Sequence, residues 1–330
     1  MPVFYVNLDK CVRCAMLLIE KEKEAMAMTD LSREIMEKYQ VRKTKKQKTA
    51  FISMLQAHIP ALQVQQMRFP KSRNLVIGVP ETAKVILGAH YDTCAQLPFP
   101  NFITPKKPMV SILYSILVVI PFIAVIFLLN WLLSLLLWDP LLSYCVTLVL
   151  YALLMWLLLA GPANKHTTND NTSGVITLLE IYQTLDPDAR KEVCFVFFDN
   201  EESGVIGSGQ FRKKYKNAIK DKLMINFDCV SDGDHFLLGI TKKANQKHHV
   251  AIARAFTPTE SKHVLLENLK KIYYPSDQAG FPVAIAVAAL KYKKPFGYYM
   301  DRIHTKRDTV LDEQNIAYLA ERTIQLIENI

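Results

Sequence analysis

The sequence predicts a three-layer α/β sandwich with a mostly parallel mixed sheet, interrupted by two long apolar helices. Two observations support this prediction. Short apolar runs alternate with stretches of helical spacing, which is typical of α/β domains built around a parallel sheet. Two segments in the middle of the chain contain no Asp, Glu, Lys or Arg, and each is long enough to cross a bilayer.

Five short apolar runs are predicted to be strands of one sheet. They lie at residues 75–79, 84–90, 192–198, 222–228 and 236–240. Residues 173–185 have helical spacing and follow Asn and Thr residues that suit a helix cap, and residues 312–329 are predicted to form a similar helix. Residues 1–70 are polar and are predicted to be mostly helical.

The two uncharged segments, residues 109–138 and 141–164, are separated by an Asp-Pro pair that is typical of a turn. Crossing the hydrocarbon core takes about 20 apolar residues. We therefore expect a transmembrane hairpin over residues 109–160, inserted into one discontinuous domain made of residues 1–108 and 161–330. The alternative is a pair of buried core helices, which the length of the uncharged segments disfavours.

Lysines lie at both ends of the hairpin but not in the turn between its two helices. Lys106 and Lys107 precede it, Lys165 follows it, and the turn between its helices has no Lys or Arg. Because positive charge marks the cytoplasmic side, we expect an integral protein of the cell membrane whose α/β domain is cytoplasmic. The first residues do not resemble a secretory signal, and six scattered cysteines do not resemble a disulfide framework.

The formal net charge is +9, and basic residues gather at 42–48 and 212–220. A basic surplus can indicate nucleic acid, an anionic membrane or a solvated surface. For a domain tethered to a cytoplasmic leaflet, the two basic clusters are expected to face anionic headgroups or water. We expect no nucleic-acid partner, and the sequence does not indicate an oligomeric state.

Acids and histidines cluster where the predicted strands end, at 90–92, 199–202 and 228, and also at 169–171 and 304–308. Ligands of open α/β sheets bind at the carboxyl ends of strands, and imidazole and carboxylate groups suit zinc. Taken singly, these residues also fit a strand-end histidine, a solvated helix start or a helix cap. Their joint placement favours a metal site, and the number of ligand-type residues suits two zinc ions bridged by a carboxylate.

At these residues the sequence resembles the family of di-zinc aminopeptidases that also contains glutamate carboxypeptidase, glutaminyl cyclase and the transferrin receptor. The matching motifs occur in family order: GAHYDT (88–93), NDNTSG (169–174), FDNEESGVIGS (198–208), NFD (226–228) and HTKRDT (304–309). The resemblance covers about residues 72–325 without the hairpin, and it implies a zinc-exopeptidase-like sandwich.

The resemblance also implies roles for individual residues. Two zinc ions per chain would have five ligands: His90 and Asp228 on one ion, Glu202 and His304 on the other, and Asp170 bridging both. Glu201 would be the general base that takes a proton from a metal-activated water. Asp92 would orient His90 by hydrogen bonding. Asp277 and Asp308 are further candidates for supporting the site.

The resemblance implies a membrane-anchored zinc metallopeptidase acting on peptides, with aminopeptidase activity as the first expectation. Carboxypeptidase and glutaminyl cyclase activities are alternatives, although Ile303 stands where the cyclases carry Trp before the last zinc histidine. A catalytically silent receptor or scaffold is a third class, which the retained ligand positions disfavour. Two helices without an intramembrane charge also disfavour a transporter.

Overall fold

The protein is described by a computed structural model that covers residues 28–137 and 139–330. The first part of the predicted helical segment, residues 1–27, lies outside this description. Within the described residues, nine strands form one sheet: β1 (Gln63–Met67), β2 (Ser72–Ile77), β3 (Val85–His90), β4 (Val193–Phe198), β5 (Leu223–Phe227), β6 (His235–Ile240), β7 (His263–Asn268), β8 (Ala284–Lys293) and β9 (Gly297–Tyr299).

Helices surround this sheet and also extend from it. Those of the described residues are α1 (Asp30–Lys38), α2 (Lys45–His58), α3 (Pro108–Leu137), α4 (Pro140–Ala160), α5 (Gly174–Thr184), α6 (Pro187–Arg190), α7 (Ile206–Lys214), α8 (Lys216–Ile219), α9 (Lys242–Ala255) and α10 (Glu313–Glu328). An irregular turn, Thr168–Ser173, leads into α5.

The sheet is mixed, with parallel strands at its centre. The strand order is β1-β2-β4-β3-β5-β8-β6-β7, and β9 pairs with β8. The β4-β3, β3-β5, β5-β8 and β6-β7 pairs are parallel, whereas β1-β2, β2-β4 and β6-β8 are antiparallel. One face of the sheet packs against α1, α2, α5, α9 and α10, and the other packs against α7 and α8. This arrangement confirms the predicted three-layer sandwich.

The five predicted strands are confirmed as β2 to β6, and the two predicted helices as α5 and α10. The sequence analysis missed β1, β7, β8 and β9. Strand β1 lies within the segment that was predicted to be mostly helical. It has the polar sequence QVQQM at the sheet edge, where burial does not impose an alternating apolar pattern.

Helices α3 and α4 lie outside the packed sandwich. No described side chain of α3 is buried, so the alternative of two buried core helices is wrong for this helix. The two helices follow each other across a short turn, and the Ser143 hydroxyl of α4 donates to the backbone oxygen of Asn130 in α3 at 3.3 Å. Among the described helices, α3 is the one long and apolar enough to span a membrane, and α4 has a shorter apolar stretch, Pro140–Trp156.

Candidate active site

The candidate site lies at the carboxyl edge of the three central strands. His90 is the last residue of β3, Asp228 follows β5 directly, and Glu201 and Glu202 follow β4 after a two-residue connection. Because β4, β3 and β5 are parallel neighbours, their carboxyl ends meet at the same edge. The topology therefore brings together residues that are more than 100 positions apart in the sequence.

All five residues expected to be metal ligands lie in one cluster, with Asp170 at its centre. The Oδ1 atom of Asp170 lies 3.3 Å from His90 Nε2, and its Oδ2 atom lies 3.0 Å from His304 Nε2. His90 Nε2 is 3.6 Å from Asp228 Oδ1, and His304 Nε2 is 3.3 Å from Glu202 Oε2. Each carboxylate oxygen of Asp170 thus faces a different imidazole. The assignment of these five residues as ligands remains a prediction.

Asp92 contacts both His90 and the backbone of the two adjacent glutamates. The ring of His90 is held by the backbone oxygen of Asp92, which lies 3.1 Å from Nδ1. The Asp92 carboxylate is 3.7 Å from Nδ1 and instead accepts the backbone N–H groups of Glu201 at 2.9 Å and Glu202 at 3.3 Å. Asp92 therefore contacts His90 through its backbone oxygen, and its role in orienting His90 stays a prediction. With Nδ1 donating to the backbone oxygen, the Nε2 lone pair faces the acidic cluster.

Asp308 and Asp277, the two further candidates, have different surroundings. The carboxylate of Asp308 accepts the backbone N–H groups of Asn169 at 2.7 Å and Asp170 at 3.0 Å, so it fixes the turn that carries Asp170. Asp277 is fully buried, but neither of its carboxylate oxygens has a hydrogen-bond partner among the described residues. Asp308 therefore supports the site through the backbone, whereas Asp277 is a buried carboxyl group whose pKa is raised by burial to about 7.

Two cations of the predicted basic cluster at 42–48 point inward, contrary to the expectation that they face headgroups or water. Arg42 is fully buried, and its guanidinium donates to the backbone oxygen of Tyr91 at 2.5 Å and to the hydroxyl of Thr172 at 3.1 Å. Lys48 is 7 % exposed and pairs with Asp199 at 2.5 Å. No local sequence pattern distinguishes these two residues from their exposed basic neighbours, so the sequence analysis missed their supporting role.

The described site carries more acidic than basic groups. Its acidic groups are Asp92, Asp170, Glu201, Glu202, Asp228, Asp277 and Asp308. The basic groups in the site or buried next to it are His90, His304, Arg42 and Lys48. Burial raises the pKa of Glu202 to about 7 and that of Asp308 to about 8. Burial acts to lower the pKa of His304, but the nearby Glu202 and Asp170 carboxylates raise it to about 9.

This excess of buried acidic groups fits a bound cation, which would favour their ionised forms. The Oε1 atom of Glu202 is buried without a hydrogen-bond partner among the described residues, as a metal-facing oxygen would be. Three residue groups have donor atoms within 4.8 Å of one another: His90, Asp170 and Asp228; His90, Glu201 and Glu202; and Cys94, Glu202 and His304. Cys94 was not among the expected site residues, although it lies two positions after Asp92. The nitrogen and carboxylate donors are those that zinc prefers.

Both flanks of the α3–α4 pair contact the loop that carries His304. The backbone N–H of Leu97 donates to the backbone oxygen of His304 at 2.8 Å. On the other flank, the Asn164 side chain donates to the backbone oxygen of Thr305 at 3.0 Å. The apolar helices are therefore connected to the candidate site through short, hydrogen-bonded segments.

The sequence profile of peptidase family M28 matches residues 159–326, which is about half of the chain. No curated protein sequence matches the chain. Among solved structures, LapA aminopeptidase from Legionella pneumophila is similar, with a TM-score of 0.54 and 13 % identity over 99 % of this chain and 76 % of LapA.

Two further solved structures are similar to this chain. A glutaminyl cyclase from Bacteroides thetaiotaomicron has a TM-score of 0.52 and 14 % identity, over 91 % of this chain and 95 % of the cyclase. The zinc aminopeptidase BSAP from Bacillus subtilis has a TM-score of 0.44 and 14 % identity, over 78 % of this chain and 50 % of BSAP. At these identities, the likeness to LapA and to the cyclase establishes a shared fold.

Proposed function

Because the chain belongs to peptidase family M28 and is a metallopeptidase of the hydrolase class, we propose that it is a membrane-anchored di-zinc aminopeptidase. The observation that carries this proposal is the position of Asp170. Its Oδ1 atom faces His90 and its Oδ2 atom faces His304, which is the arrangement that a carboxylate bridging two metal ions requires. The two halves of the cluster would then be His90 with Asp228, and His304 with Glu202.

Bound zinc supplies Lewis-acid chemistry, because it polarises a carbonyl and lowers the pKa of a water toward about 7. Glu201 would take the proton from the attacking water and pass it to the departing amine. In the metal-free site, burial raises the pKa of Glu201 well above its ordinary value. Asp92 holds the backbone of both Glu201 and Glu202, which fixes the base relative to its metal-binding neighbour.

We place the protein in the cell membrane through residues 109–160. At 1.5 Å per residue, the 30-residue helix α3 is about 45 Å long, which exceeds the about 30 Å of the hydrocarbon core. Its apolar side chains are not buried by the part of the protein that the structure describes, and such a surface is unfavourable in water. Because Lys106, Lys107 and Lys165 lie at the end of the hairpin next to the sandwich, the catalytic domain would lie on the cytoplasmic side.

Hydrolysis of a peptide panel by detergent-purified, zinc-loaded protein tests this function. The panel contains peptides with free N-termini and the same peptides with blocked N-termini. We expect release of the N-terminal residue from the free peptides only. In Glu201→Gln, kcat should fall between about 100-fold and 10,000-fold, because a general base contributes that much. Glu192→Gln, an exposed substitution outside the site, is the matched control and should retain activity.

Glutaminyl cyclase activity is the second candidate, favoured by the fold shared with the Bacteroides enzyme over most of both chains. Peptides with an N-terminal Gln distinguish the two reactions. A cyclase closes the ring of the N-terminal residue and releases ammonia, whereas an aminopeptidase releases free Gln. Formation of a pyroglutamyl peptide without release of Gln would replace the aminopeptidase proposal with the cyclase.

A further inference from the structure

The candidate catalytic cavity adjoins a second, larger cavity. The first has a volume of about 230 Å³ and is lined by Glu202 and His304 on the metal side. The second has a volume of about 750 Å³ and lies between the start of α2 and the β1–β2 hairpin. Lys43, Lys48 and Asn200 line both cavities, so the two cavities are adjacent.

The second cavity, called the basic groove below, is strongly cationic. Its basic lining residues are Lys43, Lys45, Lys48, Arg68, Lys71 and Arg73. Among the described residues, Asp199 is the only acid that lines it, and its carboxylate is already bound by the Lys48 ammonium at 2.5 Å and by the Arg73 backbone N–H at 2.8 Å. The single acid therefore neutralises one of the six cations.

The other five cations of the basic groove have no carboxylate within 4.0 Å among the described residues. The Arg73 guanidinium donates to the Thr49 hydroxyl at 2.8 Å and to the Lys45 backbone oxygen at 3.3 Å, both of which are uncharged acceptors. Lys45, Arg68 and Lys71 are exposed. A concave surface lined by one sign of charge attracts ligands of the opposite sign, so the groove is suited to an anionic ligand.

We propose that the basic groove binds carboxylates of the peptide substrate on the leaving side of the scissile bond. This inference rests on the proposed function. An aminopeptidase holds the N-terminal residue at its metal ions, and the residues after the scissile bond then occupy the adjoining space. The substrate class is therefore peptides with acidic side chains shortly after the first residue, or short peptides whose terminal carboxylate reaches the groove.

Four tetrapeptides that share the same N-terminal residue test this inference. Three are amidated at the C-terminus and carry either two Glu, two Ala or two Lys after the first residue, and the fourth is the Ala peptide with a free carboxylate. We expect kcat/KM to be about tenfold higher for the Glu peptide than for the amidated Ala peptide at low ionic strength, and lowest for the Lys peptide. The difference should shrink as salt screens the groove. A preference for the free over the amidated Ala peptide would identify the terminal carboxylate as a second ligand.

A matched pair of variants distinguishes the effect of the basic groove on substrate preference from the effect of the overall charge of the protein. Lys45→Gln, Arg68→Gln and Lys71→Gln together remove three exposed charges from the groove. Lys213→Gln, Lys216→Gln and Lys220→Gln remove three from another basic surface, beside α7 and α8. The ratio of kcat/KM for the Glu and Ala peptides should fall about threefold or more in the groove variant and should stay unchanged in the control.

The outcomes distinguish the inference from the function on which it rests. Absence of hydrolysis of every peptide by zinc-loaded protein overturns the proposed aminopeptidase and the inference with it. Hydrolysis without a preference for Glu, or an equal loss of preference in both triple variants, overturns the inference alone. A final arm compares protein in phosphatidylcholine nanodiscs with and without phosphatidylserine. If phosphatidylserine removes the preference, the groove binds lipid headgroups and the inference is wrong.

Discussion

The guanidinium of Arg42 lies against the backbone of Tyr91, with Nε donating to the Tyr91 oxygen at 2.5 Å. Tyr91 stands between His90 and Asp92. The same guanidinium donates to Thr172, in the turn that carries Asp170, and to the backbone oxygen of Tyr39 at 2.6 Å. One buried cation thus connects the segment before α2 to two of the segments that form the candidate site.

Replacement of Arg42 by Met should lower the free energy of unfolding by about 3 kcal/mol or more. Met cannot donate hydrogen bonds, so several buried acceptors would lose their donor, and each unpaired buried group costs about 1–3 kcal/mol. Urea unfolding of the zinc-loaded protein measures the change. The exposed Arg33→Met, which loses a solvent-accessible pair with Asp30, is the control and should change stability little. Equal stability of Arg42→Met and the parent would contradict this role.

Asp170→Asn should reduce bound zinc from about two ions per chain to about one or none. The reason is that an amide offers one oxygen, whereas the two carboxylate oxygens of Asp170 face separate histidines. Elemental analysis after dialysis gives the metal content, and a chelator followed by zinc addition gives the dependence of activity on the metal. Asp188→Asn, at an exposed position in the short helix before β4, serves as the comparison. Retention of two ions by Asp170→Asn would refute the bridging role.

Metal-free protein should lose stability as the pH rises from about 5 to about 9. Burial raises the pKa of Glu202 to about 7 and of Asp308 to about 8. A carboxyl group whose pKa is raised by folding stabilises the protein below its unfolded pKa, and this contribution is lost as the pH rises through the folded pKa. The raised pKa of His304, about 9, has the same sign.

Thermal unfolding in a chelator at about pH 6 and about pH 8.5 measures this loss, and we expect a melting temperature several degrees lower at the higher pH. Zinc should largely remove the difference, because it compensates the buried negative charge in either condition. A higher melting temperature at the higher pH in the chelator would contradict the expected sign.

Replacement of residues 109–160 by a short Gly/Ser loop should release the protein from membranes. Both flanks of this segment are tied to the loop that carries His304, so we expect the catalytic site to lie close to the bilayer and to favour membrane-proximal substrates. The loop variant should therefore hydrolyse soluble peptides but lose activity on membrane-embedded ones. Activity comparable to the parent on both substrates would show that the hairpin does not shape substrate access.

Much of the sandwich is predictable because its central strands are buried on both faces. Such strands are continuous apolar runs, and β2 to β6 could be located for that reason. Strand β1 could not, because an edge strand with exposed residues carries no apolar run. For the site, acids and histidines directly after buried strands are visible in the sequence, and the strand ends place His90, Glu202 and Asp228 at one edge.

The sequence by itself determined the positions of β2 to β6 along the chain, the two apolar segments and the residue types that gather at the strand ends. These properties follow from local patterns of hydrophobicity and from short motifs. Only the tertiary structure decided that Arg42 and Lys48 point inward, that Asp92 holds the backbone of Glu201 and Glu202, and that a basic groove adjoins the site. Burial and hydrogen bonding between distant segments depend on how the chain packs. The identity of a residue alone does not show whether its side chain faces solvent or the core.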